Sequence, residues 1–511
     1  MDIFNIMKTI VLGPPGTGKT HTLLEQVEKY LKNTDPDKIG YFAFTKKAAN
    51  EAKARAMDKF NYTEDDLPYF RTLHSLAFRK LGINKDQVMQ KRHYEDLGRK
   101  LNLFLDYNEY DEEETGIFTT KSDYLRLIHL AKLRNITLEQ QIKLGEHNTE
   151  VDYDTLVHLE QKIKDYKKLH NLIDYNDMIL DFNDMILNFV KAGLSPKFDV
   201  VFIDEAQDLS RMQWDMAKTI WNKTPDAFIA GDDDQAIFKW AGADVDSFIA
   251  LQDQMINLPL IQSHRIPVKV HALVMGIINR IKHRINKTWQ PRTNEGSLRR
   301  HFNIESVNMS SGEWLILART KYMLREIEDT LHRKGLYYET KHKRSNEKDI
   351  QEAATDWEHL RKGQLLSYKQ IEKIYGYMNE SHTDKSKLKG MVKGAFYGID
   401  ALTKDHGLKT NTVWFEAFNN AGTTRINYLK KMRENGEKLN KKPRIELSTI
   451  HAAKGGECQN VVLLTDLTKT TLETYHKNPD DENRLFYVGA TRTKENLHII
   501  EPKHAEKAFI I

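Results

Sequence analysis

A single cysteine, Cys458, among 511 residues excludes an intrachain disulfide and any zinc or iron–sulfur site built from several cysteines. Long apolar runs are missing too. No stretch is long enough to cross a bilayer, and Met1 to Met7 lead straight into Ile10-Val11-Leu12 with no room for a signal peptide. The expectation is therefore a cytoplasmic chain with no membrane partner. Net charge is equally scarce. The 77 basic residues exceed the 73 acidic ones by enough to leave only +4, so overall charge does not mark a polyanion binder. Any nucleic acid would have to be met by local clusters of Lys and Arg. What is present suits a folded chain: 40% hydrophobic and 29% charged residues, over a length that calls for three or four domains.

Short apolar runs followed by amphipathic stretches occur in two sets, the pattern of parallel α/β units. The first set is Thr9 to Leu12, Gly40 to Phe44, Val200 to Ile203 and Ala227 to Ala230; the second is Trp314 to Leu317, Ile445 to Leu447, Val461 to Leu464 and Leu497 to Ile500. A charged, helical stretch interrupts each set, over residues 86–195 and 343–442. The second stretch carries a strand signal near Val413 to Phe415. The acidic patch Asp111 to Glu114 reads as a solvated loop. An echo, Asp174 to Leu180 repeated at Asp181 to Leu187, reads as a helix pair and lacks the spacing of a calcium loop.

Gly13-Pro14-Pro15-Gly16-Thr17-Gly18-Lys19-Thr20 matches G-x-x-x-x-G-K-[ST], between an apolar strand and a helix expected over His21 to Leu31. In such a loop successive backbone N–H groups surround phosphate oxygens, aided by the helix N-terminus. Lys19 would reach the β- and γ-phosphates, and the Thr20 hydroxyl would ligate Mg²⁺. The second half of such a site is an acidic pair ending a strand, supplied by Val200-Val201-Phe202-Ile203-Asp204-Glu205. Asp204 would hold Mg²⁺ through water and Glu205 would polarise the attacking water.

At Asp204-Glu205-Ala206-Gln207-Asp208 the chain resembles the UvrD/Rep/PcrA group of superfamily 1 helicases, whose acidic motif reads D-E-x-Q-D. Further motifs follow in family order: Phe44 to Ala49, Thr72 to Ser75, Gly231 to Asp244, Ser263-His264-Arg265, Thr449 to Glu457, and Leu485 to Arg492. The resemblance implies an α/β fold of two RecA-like parallel-sheet motor domains, each with an inserted, mostly helical domain. Its boundaries are a first motor domain at 1–85 and 196–262 around an insertion at 86–195, then a second at 263–342 and 443–511 around an insertion at 343–442.

The resemblance also implies roles. ATP, with Mg²⁺, would sit between the motor domains, and Arg265 and Arg492 would reach the γ-phosphate from the second domain. Fixed cations there can raise the rate by roughly 10³ to 10⁵. Gln235 would sense the γ-phosphate, Glu457 would face the nucleotide, and His264 would stand where an adenine-stacking tyrosine is common; His21 belongs to the same nucleotide set. Trp240 resembles a base-stacking tryptophan, a core position being the plainer alternative, while Thr45, Thr72, His74, Thr449 and His451 are candidate strand contacts. The activity implied is ATP-driven 3′→5′ DNA unwinding; the alternative is a translocase that clears proteins from single strands. Partners would be single-stranded DNA, duplex junctions and replication or repair proteins, at the nucleoid. A nucleotide-gated binding module would lack Glu205 or Arg492. The residues before Gly13 contain no adenine-reading glutamine, Leu73 replaces an aromatic, Ala241 an arginine and Gly456 a leucine.

Overall fold

A computed structural model describes residues 8–106, 120–146, 151–174, 197–340, 343–345, 348–438 and 441–511. The acidic patch at 111–114 and all but the first residue of the repeat lie outside the described residues. By packing, the chain divides into two compact units, Met1–Gly296 with Glu473–Thr491, and Ser297–Leu472 with Arg492–Ile511.

The first unit is built on six strands: β1 (Lys8–Leu12), β2 (Ile39–Ala43), β3 (Phe70–Thr72), β4 (Val200–Asp204), β5 (Asp226–Gly231) and β6 (Ile256–Pro259). They form one parallel sheet in the order β3-β2-β4-β5-β1-β6. β2 and β4 are buried along their whole length, as strands covered on both faces must be, which is why they read as unbroken apolar runs. Tyr41, Phe202 and Phe228 face Leu23, Val27 and Ala52 in the core on one side of the sheet. Every strand ends at the same edge, so the loops after β1, β4 and β5 converge where α/β sheets bind ligands.

Between β3 and β4 the described residues form helices Lys91–Leu101, Asp123–Arg134, Leu138–Lys143 and Tyr153–His170 around their own cluster, which includes Tyr94, Leu125 and Leu159. Residues 263–296, expected in the second domain, cluster with the first sheet. Helix Val268–Ile278 packs on helix Pro479–Ala490, and the N–H groups of Lys282 and His283 donate to Asp480 at 3.1 Å.

The second unit holds β7 (Ser297–His301), β8 (Trp314–Ala318), β9 (Tyr338–Thr340), β10 (Lys343–Arg344), β11 (Leu366–Ser367), β12 (Phe396–Tyr397), β13 (Ile445–Thr449), β14 (Cys458–Leu464) and β15 (Thr493–Ile500). Seven of these make a sheet in the order β10-β9-β13-β8-β14-β15-β7, parallel except for the β9–β10 hairpin at one edge. β11 and β12 pair separately. The expected strand near Val413 is instead a helical turn, Trp414–Ala417, which buries Trp414 and Ala417 against Trp357 and Phe418. A three-residue apolar run fits either geometry, and the cluster decides. Among the described residues, no helix is long and apolar enough to cross a membrane.

Candidate active site

The helix that begins the site starts at Lys19, two residues before the expected His21, because Gly18 turns the chain into it with φ 87°. The loop from Gly13 to Gly18 is tied down by its own backbone. Gly13 N–H donates to Gly231 O on β5 at 3.1 Å, and Thr17 Oγ1 donates to Pro14 O at 2.8 Å. A Cβ on Gly13 would come within 2.1 Å of Lys19 Cγ, so glycine here lets the lysine fold back over the loop. Lys19 Nζ donates to Gly13 O at 2.9 Å and lies 3.8 Å from Glu205 Oε1.

β4 delivers the acidic pair. Asp204 is buried, and its Oδ2 accepts from Thr20 Oγ1 at 2.7 Å and from the Tyr41 hydroxyl at 2.9 Å. Burial, reinforced by the charge of Glu205, pushes the Asp204 carboxyl upward. Burial also holds the Tyr41 phenol far above its usual range, with Asp204 adding to the effect. A hydroxyl and a carboxylate side by side are a hard-oxygen donor set that fits Mg²⁺. Glu205 takes the left-handed conformation at φ 54°, a strain of about 1–3 kcal/mol for a residue with a side chain. Gln207 Nε2 donates to its Oε2 at 2.6 Å.

Ser263-His264-Arg265 lies against the phosphate loop. Ser263 Oγ donates to Pro15 O at 2.8 Å, and His264 N–H donates to Gly16 O at 2.9 Å. A Cβ on Gly16 would stand 2.4 Å from Arg265 Cβ. Arg265 therefore clusters in the same compact unit as Lys19. Gln235 is buried, and its Nε2 donates to Asp232 Oδ2 at 2.7 Å. His21 is exposed, 3.3 Å from Glu25. Tyr41, Gln207 and Ser263 reach these groups without having been assigned a role from sequence. Gln207 and Ser263 lie inside the quoted motifs; Tyr41 carries no signal beyond its place in an apolar run.

The candidate strand contacts of the first unit divide by exposure. Thr45 and Thr72 cap the helices they precede, each hydroxyl accepting at 3.1 Å, from Ala48 N–H and Ser75 N–H. Burial pushes the His74 imidazole down to about 4, so it is neutral at physiological pH and would meet a phosphate only as a hydrogen-bond donor. Trp240 is 45% exposed, not core. Its ring stands edge-on to Phe238, which stacks on Phe44. Arg134, from the helices between β3 and β4, donates to Lys239 O at 3.3 Å and braces this turn.

In the second unit, Thr449 ends β13 and accepts from Ala452 N–H at 3.3 Å. His451 is pushed down to about 3, chiefly by burial and further by Arg319 and Lys454. Arg492 is 2% exposed and donates to Gly456 O at 3.2 Å, while Glu457 is exposed and paired with Lys494 at 3.0 Å.

The family described as UvrD/REP helicase N-terminal domain matches residues 5–256, and the UvrD-like helicase C-terminal domain matches residues 445–500. Similar relatives include the ATP-dependent DNA helicase Rep of Buchnera aphidicola, 24% identical over 50% of this chain and 39% of the relative. The ATP-dependent DNA helicase PcrA of Bacillus subtilis is 24% identical over 64% of this chain and 48% of its own length. A probable DNA helicase II homolog of Mycoplasma genitalium is 28% identical over 49% and 37%. The chain thus spans less than half the length of these relatives.

Proposed function

Because this chain belongs to the UvrD/REP helicase family, we propose that it is an ATP-dependent DNA helicase that translocates 3′→5′ on single-stranded DNA and separates strands at duplex junctions. The observation that carries the reading is the meeting of two motifs 184 residues apart: Thr20 Oγ1 is 2.7 Å from Asp204 Oδ2, and Lys19 Nζ is 3.8 Å from Glu205 Oε1. Mg²⁺, held by Thr20 and Asp204, would neutralise phosphate charge. Lys19 and the backbone N–H groups of the loop bind the phosphates, and Glu205 accepts a proton from the attacking water. Gln235 would sense the γ-phosphate, and Arg265 would balance its charge. For Arg492, Glu457 and His264, and for the motor and insertion boundaries, the resemblance carries the assignment. Proteins of replication or repair are the proposed partners.

The test is strand separation on duplexes with a 3′ or a 5′ single-stranded overhang, with and without ATP. Product from the 3′ overhang alone, dependent on ATP, is expected. Turnover stimulated by single strands without any strand separation would instead favour the translocase.

Trp240→Ala is expected to lower unwinding per ATP hydrolysed about tenfold, since a base stacked on an aromatic ring is worth roughly 1–3 kcal/mol. Its exposure means that the fold should be retained. Unwinding and phosphate release measured together on one substrate decide it, and an unchanged ratio would remove Trp240 from the track.

A further inference from the structure

Asp232, Asp233 and Asp234 follow one another at 0, 0 and 1% exposure. Buried carboxylates are costly unless paired and hydrogen-bonded. Here the compensation comes from a segment outside every recognised motif. The ammonium of Lys287, itself buried, lies 2.8 Å from Asp232 Oδ1 and 3.1 Å from Asp234 Oδ2, and also bonds Asp233. Arg284 takes both oxygens of Asp234, at 2.7 and 2.6 Å. Ile285 N–H donates to Asp233 Oδ2 at 2.8 Å, and Arg484 Nε donates to the backbone carbonyl of Asp233 at 2.9 Å. The three carboxylates lie close enough together to suggest a metal site, but the cation among them is Lys287.

Asp233 and Asp234 face this anchor. Asp232 faces both ways. Its Oδ1 takes Lys287, its Oδ2 accepts from Gln235 Nε2 at 2.7 Å, and its backbone N–H donates to Gln207 Oε1 at 3.0 Å. Gln207 Nε2 then donates to Glu205 Oε2 at 2.6 Å. These partners settle how both amides point. An ionised carboxylate only accepts, so the NH₂ end of Gln235 must meet Asp232 and its carbonyl oxygen must point away. A backbone N–H only donates, so the oxygen of Gln207 meets residue 232 and its NH₂ end meets Glu205. Burial alone would push the Asp232 carboxyl up; Lys287, helped by Lys19, holds it below its usual range.

We infer that Lys287 is a positioning residue for hydrolysis: through Asp232 it fixes which way the Gln235 amide is turned. The inference rests on the ATPase reading above. The backbone arm to Gln207 does not depend on the Asp232 side chain, so the two arms can be separated by mutation.

The experiment is steady-state ATP turnover with saturating single-stranded DNA for the wild type, Asp232→Asn, Lys287→Met and the double variant. Asp232→Asn lets Gln235 turn either way, and it leaves Asp233 and Asp234 balanced by Lys287 and Arg284, so it folds even where Lys287→Met does not. Expected are a kcat about tenfold lower in Asp232→Asn, as for loss of orientation at a reacting group, and an unchanged KM for ATP. The double variant should be no slower than the slower single one, because both remove the same link. Wild-type kcat in Asp232→Asn, or losses that multiply in the double variant, would overturn the inference. A wild-type protein with no turnover at all would instead strike the ATPase reading.

Discussion

Lys19→Ala is expected to lower ATP turnover by roughly 10³-fold or more, the scale on which fixed cations act in phosphoryl transfer, while affinity for single-stranded DNA stays unchanged. The loss is large because Lys19 is the cation that the loop itself positions. Gly13 has no Cβ to obstruct the lysine's folding back, and the ammonium is steadied by Gly13 O at 2.9 Å and directed to Glu205 at 3.8 Å. The fold should tolerate the change, since position 19 opens a helix and alanine is the best helix former. The anchors of the loop, Gly13 N–H on Gly231 O and Ser263 Oγ on Pro15 O, do not involve the lysine side chain. Phosphate release and the anisotropy of a labelled oligonucleotide, measured on one preparation, separate the two outcomes. Near-normal release would mean that the loop does not hold the hydrolysed phosphate.

The strands legible in the sequence are those buried on both faces. β2, β4 and β8 are buried along their whole length, and β14 over Val461–Leu464, so they read as apolar runs. The strands that escaped are short or lie at edges. β3 has three residues, β6 is exposed throughout, and β7 reads Ser-Leu-Arg-Arg-His, so none carries an apolar signature. Pairing with a neighbour's backbone, which leaves no trace in composition, is what makes them strands.

The candidate site divides in the same way. Gly13 to Thr20 and Asp204-Glu205 are contiguous and carry their chemistry in their order. Tyr41 and Lys287 are single residues whose meaning lies in a partner far along the chain, 163 residues away for Tyr41 and Asp204, and 54 for Lys287 and Asp233. Only the strand order that sets β4 beside β2 and β5 brings the first of these together. Arg265 is brought to the phosphate loop by contacts that leave no sequence signal, among them the Ser263 hydroxyl on Pro15 O and the His264 N–H on Gly16 O.

Glu205→Gln should lower kcat by roughly 10² to 10⁴, the usual value of a positioned general base, without weakening ATP binding. The substitution keeps the shape of the side chain and can still accept a hydrogen bond from Gln207 Nε2, now 2.6 Å from the carboxylate. The backbone at φ 54° is unchanged, so any strain stored there persists. The ion pair with Lys19 is lost, but at 3.8 Å, with the Glu205 side chain 29% exposed, it contributes little beside the loss of the base. Lys19, Thr20 and Asp204 still bind phosphate and metal, so this variant should hold ATP unhydrolysed where Lys19→Ala fails to engage it. Nucleotide retained on the protein after rapid gel filtration, and the kcat itself, are the measurements. Wild-type turnover in Glu205→Gln would show that the proton of the attacking water goes elsewhere, and Asp204, whose carboxyl burial already pushes upward, would be the next group to replace.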